Sequence, residues 1–213
     1  MTEHQKVKRV AKRYFDIWAQ SYDESILQHL IFRSSHHMLF KEITGSGRSS
    51  KFRVLDAGCG TGELSFKLSN YLGRAEVHGV DLSRTMIEKA KDKLDGHNIK
   101  FKVGDVEHLP YKDNAFDVIT CSHSFHHYPN KEKAISEMYR VLRPDGRLMI
   151  IDGCRDVFLG KIIFEIVERI ERHVYHLFGH EFRELFKRSG FKNVVQKKFN
   201  FVPLLLTIGT AIK

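Results

Sequence analysis

At 213 residues the chain is long enough for one α/β domain with a substantial core. A hydrophobic content of 42% beside 29% charged residues excludes a disordered chain, and a net charge of +9 predicts either an acidic neighbour, such as nucleic acid or anionic membrane, or a solvated basic face. The cysteines, Cys59, Cys121 and Cys154, match no paired metal or redox spacing, which suits a reducing, cytoplasmic setting.

The basic opening MTEHQKVKRV leads into no apolar run, so no export leader is expected. In VKRVAKRYFDIW, Val7, Val10, Ala11, Tyr14, Phe15 and Trp18 recur at helical spacing. A second helix is predicted over 24–43, then a loop at GSGRSSK. FRVLDA reads as a buried strand, and TGELSFKLSNYL as a helix with Leu64, Leu68 and Leu72 on one face. AEVHGVD is the next strand, followed by a helix capped by Ser83 that turns Met86, Ile87, Ala90 and Leu94 inward. IKFKVGD and FDVITC are strands, KEKAISEMYRVL is a helix closed by the turn signal RPDG, and RLMIID is the fifth strand. Strands separated by helices predict βαβ units and a mostly parallel sheet. After a helical region from about 157 to 189, VVQKKFNF and LLLTIGTAIK are strands separated only by VP. That link is too short for a parallel crossover, so the sheet should finish with an antiparallel pair. The late uncharged run FNFVPLLLTIGTAI is too short to span a bilayer.

The chemistry concentrates in VLDAGCGTGEL. Gly58, Gly60 and Gly62 stand where the first strand turns into its helix, where glycine lets a ligand approach the backbone and the helix presents free N–H groups. The spacing GxGxG departs from the dinucleotide fingerprint GxGxxG. Asp56, two residues ahead of Gly58, would repel a pyrophosphate and favour a cationic amine. The expected ligand is an adenosine that carries an ammonium group. Asp81 ends the second strand, where a carboxylate accepts from both ribose hydroxyls, and Asp105 ends the third, either beside an exocyclic amine or as a turn former.

With these motifs the chain resembles the class I S-adenosylmethionine-dependent methyltransferases, in the small-molecule group that includes the ubiquinone/menaquinone C-methyltransferases. VLDAGCGTGEL, HGVDLSRTMIEKA, GDVEHLPYKDNAFDVITCSHSFHHYPN and EMYRVLRPDGRLMIID resemble that family's motifs in order. The resemblance implies a Rossmann-like α/β fold, with a seven-stranded sheet ordered 3-2-1-4-5-7-6 and strand seven antiparallel. It implies one domain over 1–213, with a helical cap at 1–45 and a helical lid at 155–190. S-adenosylmethionine would lie against Asp56, Ala57, Gly58, Cys59, Gly60 and Gly62 of the first motif and Asp81 of the second. Leu82 and Met86 would flank the adenine, with Gly104, Asp105, Val106 and Ser122 further along, and Tyr22 in FDIWAQSYDES would reach the methionine end.

A sulfonium is already an activated methyl donor, so the enzyme must chiefly position the acceptor and exclude water. A hydroxyl acceptor gains from a general base, for which His123 and His126 in CSHSFHHYPN are the candidates; a structural role in the loop-to-helix cap is the competing reading. His173, His176 and His180 would share a face if a helix ran that far, but they lack a carboxylate or thiolate partner, and no metal is expected. The segment Val157–Phe186 carries more apolar residues than one core stripe needs, the surplus lining a pocket, a dimer interface or a membrane contact. It does not reproduce the corresponding segment of the quinone enzymes. The place after strand four reads Cys121-Ser122-His123-Ser124 and not (Asn/Asp)-Pro-Pro-aromatic, so a nucleic-acid acceptor is not expected. The expected partner is a small, partly apolar acceptor, quinone-, lipid- or metabolite-like, taken up by a monomer or homodimer with peripheral membrane contact open to it. The alternatives are a nucleic-acid or protein methyltransferase, or a cofactor-binding protein without turnover.

Overall fold

Seven strands alternate with amphipathic helices and join into one sheet, ordered β3-β2-β1-β4-β5-β7-β6. The computed structural model describes residues 3–18, 26–44, 52–73, 75–156, 160, 162, 164, 165, 168, 169, 174–199 and 202–213. In chain order the elements are α1 (Glu3–Trp18), α2 (Ile26–Thr44), β1 (Arg53–Ala57), α3 (Glu63–Leu72), β2 (Glu76–Asp81), α4 (Arg84–Asp92), β3 (Ile99–Val103) and β4 (Phe116–Ser122). A single 3-10 turn (Phe125–His127), α5 (Lys131–Val141), β5 (Leu142–Gly153), α6 (Gly179–Arg188), β6 (Phe191–Lys198) and β7 (Leu204–Ala211) follow.

The first five strands are parallel, and the central pair β1 and β4 is buried on both faces, which is why those two read as nearly continuous apolar runs. One core layer gathers Phe116, Phe125, Phe182, Phe186 and Phe191, and the other Leu39, Leu68, Ile87, Phe101 and Met149. Each such side chain contributes about 1.5–3 kcal/mol on burial. Ser83 caps α4 by accepting from the Met86 N–H, as expected, and Met86, Ile87 and Ala90 are buried. β7 runs antiparallel to β5 from Gly146↔Ala211 to Gly153↔Leu204 and also pairs antiparallel with β6. The edge strand β6 exposes Lys192, Lys197 and Lys198, charges that discourage further strand addition.

Two expectations change. RPDG is not a simple terminator: β5 already begins at Leu142, pairs Phe116↔Leu142, and resumes at Val118↔Arg147 with Asp145 at φ 60. The turn residues are absorbed as a bulge inside the strand. Nor does one helical region run from 157 to 189. Residues 174–178 are non-helical, Leu177 forms a bridge to Cys154, and α6 starts only at Gly179, where the Glu181 carboxylate accepts from the Phe178 N–H. His176 and His180 therefore do not share a helix face; His173 and part of the predicted lid lie outside the described residues, while its last stretch, α6, buries Phe182, Leu185 and Phe186 in the core. No helix among the described residues is long and apolar enough to cross a membrane.

Candidate active site

The carboxyl ends of β1, β2 and β4 converge on a cavity of about 280 Å³. This is where parallel strands of an open α/β sheet place their ligands, because helix N-termini and loop N–H groups face outward there. Along its cofactor side, Asp56, Gly58, Cys59 and Gly60 follow β1, Asp81, Leu82 and Met86 follow β2, and Gly104, Asp105 and Val106 follow β3. Ser122 closes β4 beside them. Ala57 sits one layer behind, its carbonyl accepting from Ser124 Oγ and Tyr128 OH, both at 3.3 Å. Gly62 begins α3 and backs onto the Phe101 ring without lining the cavity. Tyr22 lies outside the described residues.

The geometry at the glycines fits an adenosine-type cofactor. Gly60 adopts φ +53, and a Cβ placed on it would meet no atom within 4 Å, so the left-handed turn encloses free space. Asp81 is held in place from behind: Oδ2 accepts from the Gly60 N–H and Oδ1 from the Ser83 N–H, both at 2.9 Å. Each oxygen keeps a further lone pair for a ribose hydroxyl. Burial raises the pKa of Asp81. Asp56 accepts from Ser65 Oγ at 2.7 Å and from Thr120 Oγ1 at 3.3 Å, yet burial still pushes its carboxyl up to about 7. A carboxylate so deprived of water gains most from a nearby cation. Ser122 Oγ is buried with no hydrogen-bond partner among the described residues, a donor left for a ligand.

The sequence suggested a cap at 1–45 but not which of its residues would close the cavity. Lys8, Ala11 and Phe15 of α1, with His36 of α2, close the cavity. Lys8 Nζ reaches Asp105 Oδ2 at 2.6 Å and Glu107 Oε2 at 2.5 Å, and these partners raise its pKa against the cost of burial. Asp105 is thus committed in part to the cap: its other oxygen accepts from the Glu107 N–H. Asp16 anchors the same helix by accepting from Ser83 Oγ at 2.5 Å.

At the acceptor end the three histidines of SHSFHH separate by environment. His123, at φ 54, places Nε2 2.9 Å from Ser35 Oγ, and burial pulls its pKa down to about 4. His127 packs edge-on to Phe15 at 4.8 Å, and burial lowers its pKa well below the ordinary value. His126 differs. Its Nδ1 lies 2.6 Å from Asp152 Oδ1, and its backbone N–H donates to Asp152 Oδ2 at 2.7 Å. Burial alone would raise the Asp152 pKa, but His126, then His176 and His123, hold it well below the usual carboxylate range. An ionised carboxylate only accepts, so Nδ1 of His126 carries the proton and Nε2 is the basic nitrogen. Asp152 is the candidate site residue that the sequence did not disclose. Its signal was its place at the end of RLMIID, one strand over from the loop after FDVITC.

Comparison with known proteins identifies relatives of the chain. The methyltransferase domain family matches residues 48–198. A demethylmenaquinone methyltransferase of Lactiplantibacillus plantarum is 29% identical over 92% of this chain and 93% of its own. A ubiquinone/menaquinone biosynthesis C-methyltransferase of Pseudomonas entomophila is 36% identical over 70% of this chain and 60% of its own. Among solved structures, magnesium protoporphyrin IX methyltransferase from Synechocystis PCC 6803, with bound SAH, superposes with a TM-score of 0.77 at 19% identity, covering 95% of this chain and 99% of that one.

Proposed function

The chain belongs to the methyltransferase domain family, and from that premise we propose that this S-adenosylmethionine-dependent enzyme methylates a ring carbon of a small, flat, partly apolar phenolic acceptor of the reduced-quinone type. The observation that carries the reading is His126 in the wall of the cofactor cavity, backed by the buried Asp152 at its Nδ1. A quinone is an electrophile and cannot accept a methyl cation; its reduced, hydroxylated ring can, once a proton leaves. Nε2 of His126 takes that proton, and the electron density it frees reaches the ring carbon, which would take the methyl group as the methyl–sulfur bond breaks and then lose its own hydrogen as a proton to restore the aromatic ring. Asp152 holds the imidazole in the receptive tautomer and stabilises the imidazolium. The names of the relatives in quinone biosynthesis support the acceptor class.

On the cofactor side, S-adenosylmethionine supplies a methyl group already activated on a sulfonium. Asp81 receives the ribose hydroxyls, Asp56 faces the ammonium end, the turn around Gly60 admits the backbone-hugging portion, and Ser122 Oγ offers its unpaired donor. Residues 1–45 act as the cap, with Phe15 and Ala11 excluding water, and 155–190 as the lid of a single domain. α1 exposes Lys6, Arg9, Val10 and Arg13 outward, a basic stripe suited to anionic lipid, where apolar quinones reside.

The test is turnover with methyl-labelled S-adenosylmethionine against three acceptors: a short-chain prenyl naphthohydroquinone, total RNA, and cell protein. Label in the naphthohydroquinone supports the reading. Label in RNA or protein alone sinks it.

A further inference from the structure

Around His126 stand groups that proton abstraction does not call on: His176, Glu168, Phe164 and Gly153. The His176 ring lies nearly parallel to two flat partners, His126 at 4.5 Å and 18°, and Phe164 at 4.0 Å and 15°. One Glu168 oxygen accepts from the His176 backbone N–H at 2.8 Å and lies 3.3 Å from its Nδ1; Arg155 holds the other at 2.5 Å. Below the stack, Gly153 supplies bare backbone. A Cβ there would fall 2.5 Å from His176 Cδ2 and 2.6 Å from Phe164 Cζ. The residue that follows Asp152 must therefore lack a side chain for the stack to form.

His126, Asp152 and His176 bring ligating atoms within 4.8 Å of one another, the donor set of a two-histidine, one-carboxylate metal site. Ring orientation decides against a metal. An imidazole ligates along its in-plane lone pair, and two rings stacked 4.5 Å apart and 18° from parallel send those lone pairs along nearly parallel planes instead of toward a common ion between them. Nδ1 of His126 is already committed to Asp152, and buried Lys131, which donates to the His126 carbonyl, adds positive charge beside the cluster.

We infer that His176 is a positioning residue for the base, a flat plate that fixes the ring plane of His126 while Asp152 fixes its tautomer. The inference rests on the reading of His126 as the base. One hydrogen bond at Nδ1 leaves the ring free to rock about the N–H···O axis, because the last side-chain torsion of histidine is broad. The stack removes that freedom and keeps Nε2 aimed at one place, which is where rate is gained. Glu168 and Arg155 hold the plate, and Gly153 seats it. Burial, then the neighbouring His126, push the His176 pKa down to about 3, so the plate stays neutral and does not repel the imidazolium formed beside it.

The experiment pairs a rate with a spectrum. In the full chain saturated with S-adenosylhomocysteine, two-bond nitrogen–proton correlations of the His126 ring report its tautomer and any exchange. His176→Phe keeps the plate and should keep a single Nδ1–H tautomer, with kcat on the prenyl naphthohydroquinone within about threefold of wild type. His176→Ala should turn the His126 signals into an exchanging mixture and lower kcat about 10–100-fold, with S-adenosylhomocysteine affinity within about twofold. Should His176→Ala fail to bind S-adenosylhomocysteine, Gly153→Ala carries the same expectation, since its methyl displaces the ring without emptying the site. Three results would overturn the inference: an unaltered His126 spectrum and rate in His176→Ala or its Gly153→Ala substitute, His176→Phe as impaired as those variants, or stoichiometric Zn²⁺ binding by the wild type that both His176 variants abolish. A fully active His126→Gln would remove the base reading alone, and the spectra would still decide whether His176 orients the ring.

Discussion

The two ends of the cavity are built by different means. At the cofactor end, backbone does most of the work: a left-handed glycine turn, loop N–H groups, and carboxylates at strand ends held by the next residues in the chain, as Asp81 is by Ser83. At the acceptor end the working parts are side chains brought together from afar: Ser35 with His123, His126 with Asp152, His126 with His176. A cofactor common to many reactions can be met by short motifs, whereas an acceptor and its proton are met by tertiary assembly.

If that division is right, damage at the two ends should appear in different kinetic constants. The largest effect is expected from His126→Gln and Asp152→Asn, each lowering kcat by about 10²–10⁴-fold while calorimetry finds S-adenosylhomocysteine binding nearly intact. If both variants turn over normally, positioning alone drives the reaction and the acceptor is already nucleophilic. Next, Asp81→Ala should weaken cofactor binding by about 1–3 kcal/mol with little change in kcat at saturation. Gly60→Val should weaken it further, because a branched side chain at φ +53 is strained and would enter the enclosed space. Normal binding by either variant would remove that residue from the site.

A smaller effect follows from Asp56. Its pKa stands near 7 in the folded protein against an unfolded value near 3.8. The folded state therefore binds the extra proton between those values, and ligand-free stability falls as pH rises through that window. Asp56→Asn should gain melting temperature relative to wild type as pH climbs from about 4 to 7. Because an ammonium ligand requires the ionised form, cofactor binding at about pH 6 should release a proton to the buffer, and affinity should fall up to about tenfold per pH unit below 7. Calorimetry in two buffers of different ionisation enthalpy would expose a missing proton and refute the contact.

The smallest kinetic effect is predicted for His123→Gln and His127→Gln, with rates within about threefold of wild type, since burial holds both imidazoles below the ordinary histidine pKa and makes them weaker bases. Stability is where His123 should register. Its folded pKa of about 4 lies below the unfolded 6.5, so the unfolded chain takes up the proton first and stability is lost as pH falls from 6.5 toward 4. Replacing His123 with Gln should flatten that loss in a thermal-melt series across the same range.

The fold was legible where local pattern and tertiary demand coincide. Ser83 announced its helix, the apolar runs of β1 and β4 announced central strands, and the two-residue link before Leu204 announced an antiparallel finish. Legibility failed where a local signal had two outcomes. RPDG can end an element or bulge within one, and only pairing with β4 on one side and β7 on the other keeps the strand going through it. The helical spacing of His173, His176 and His180 was real as spacing, yet the bridge from Leu177 to Cys154 holds the chain extended there and sends His176 to His126.

The sequence by itself determined the sheet, the glycine turn, and the carboxylates that follow the strands, because each depends on neighbours a few residues away and on a period of two or 3.6. Only the tertiary structure decided which histidine could act as the base. All three lie within five residues and share one intrinsic chemistry; what separates them is the field around each ring. Asp152 is 26 positions from His126 and reaches it because β5 is paired beside β4, Ser122↔Ile151 being the last pair between the two strands. Burial does the rest: it keeps His123 and His176 neutral, while the adjacent Asp152 anion fixes the tautomer of His126.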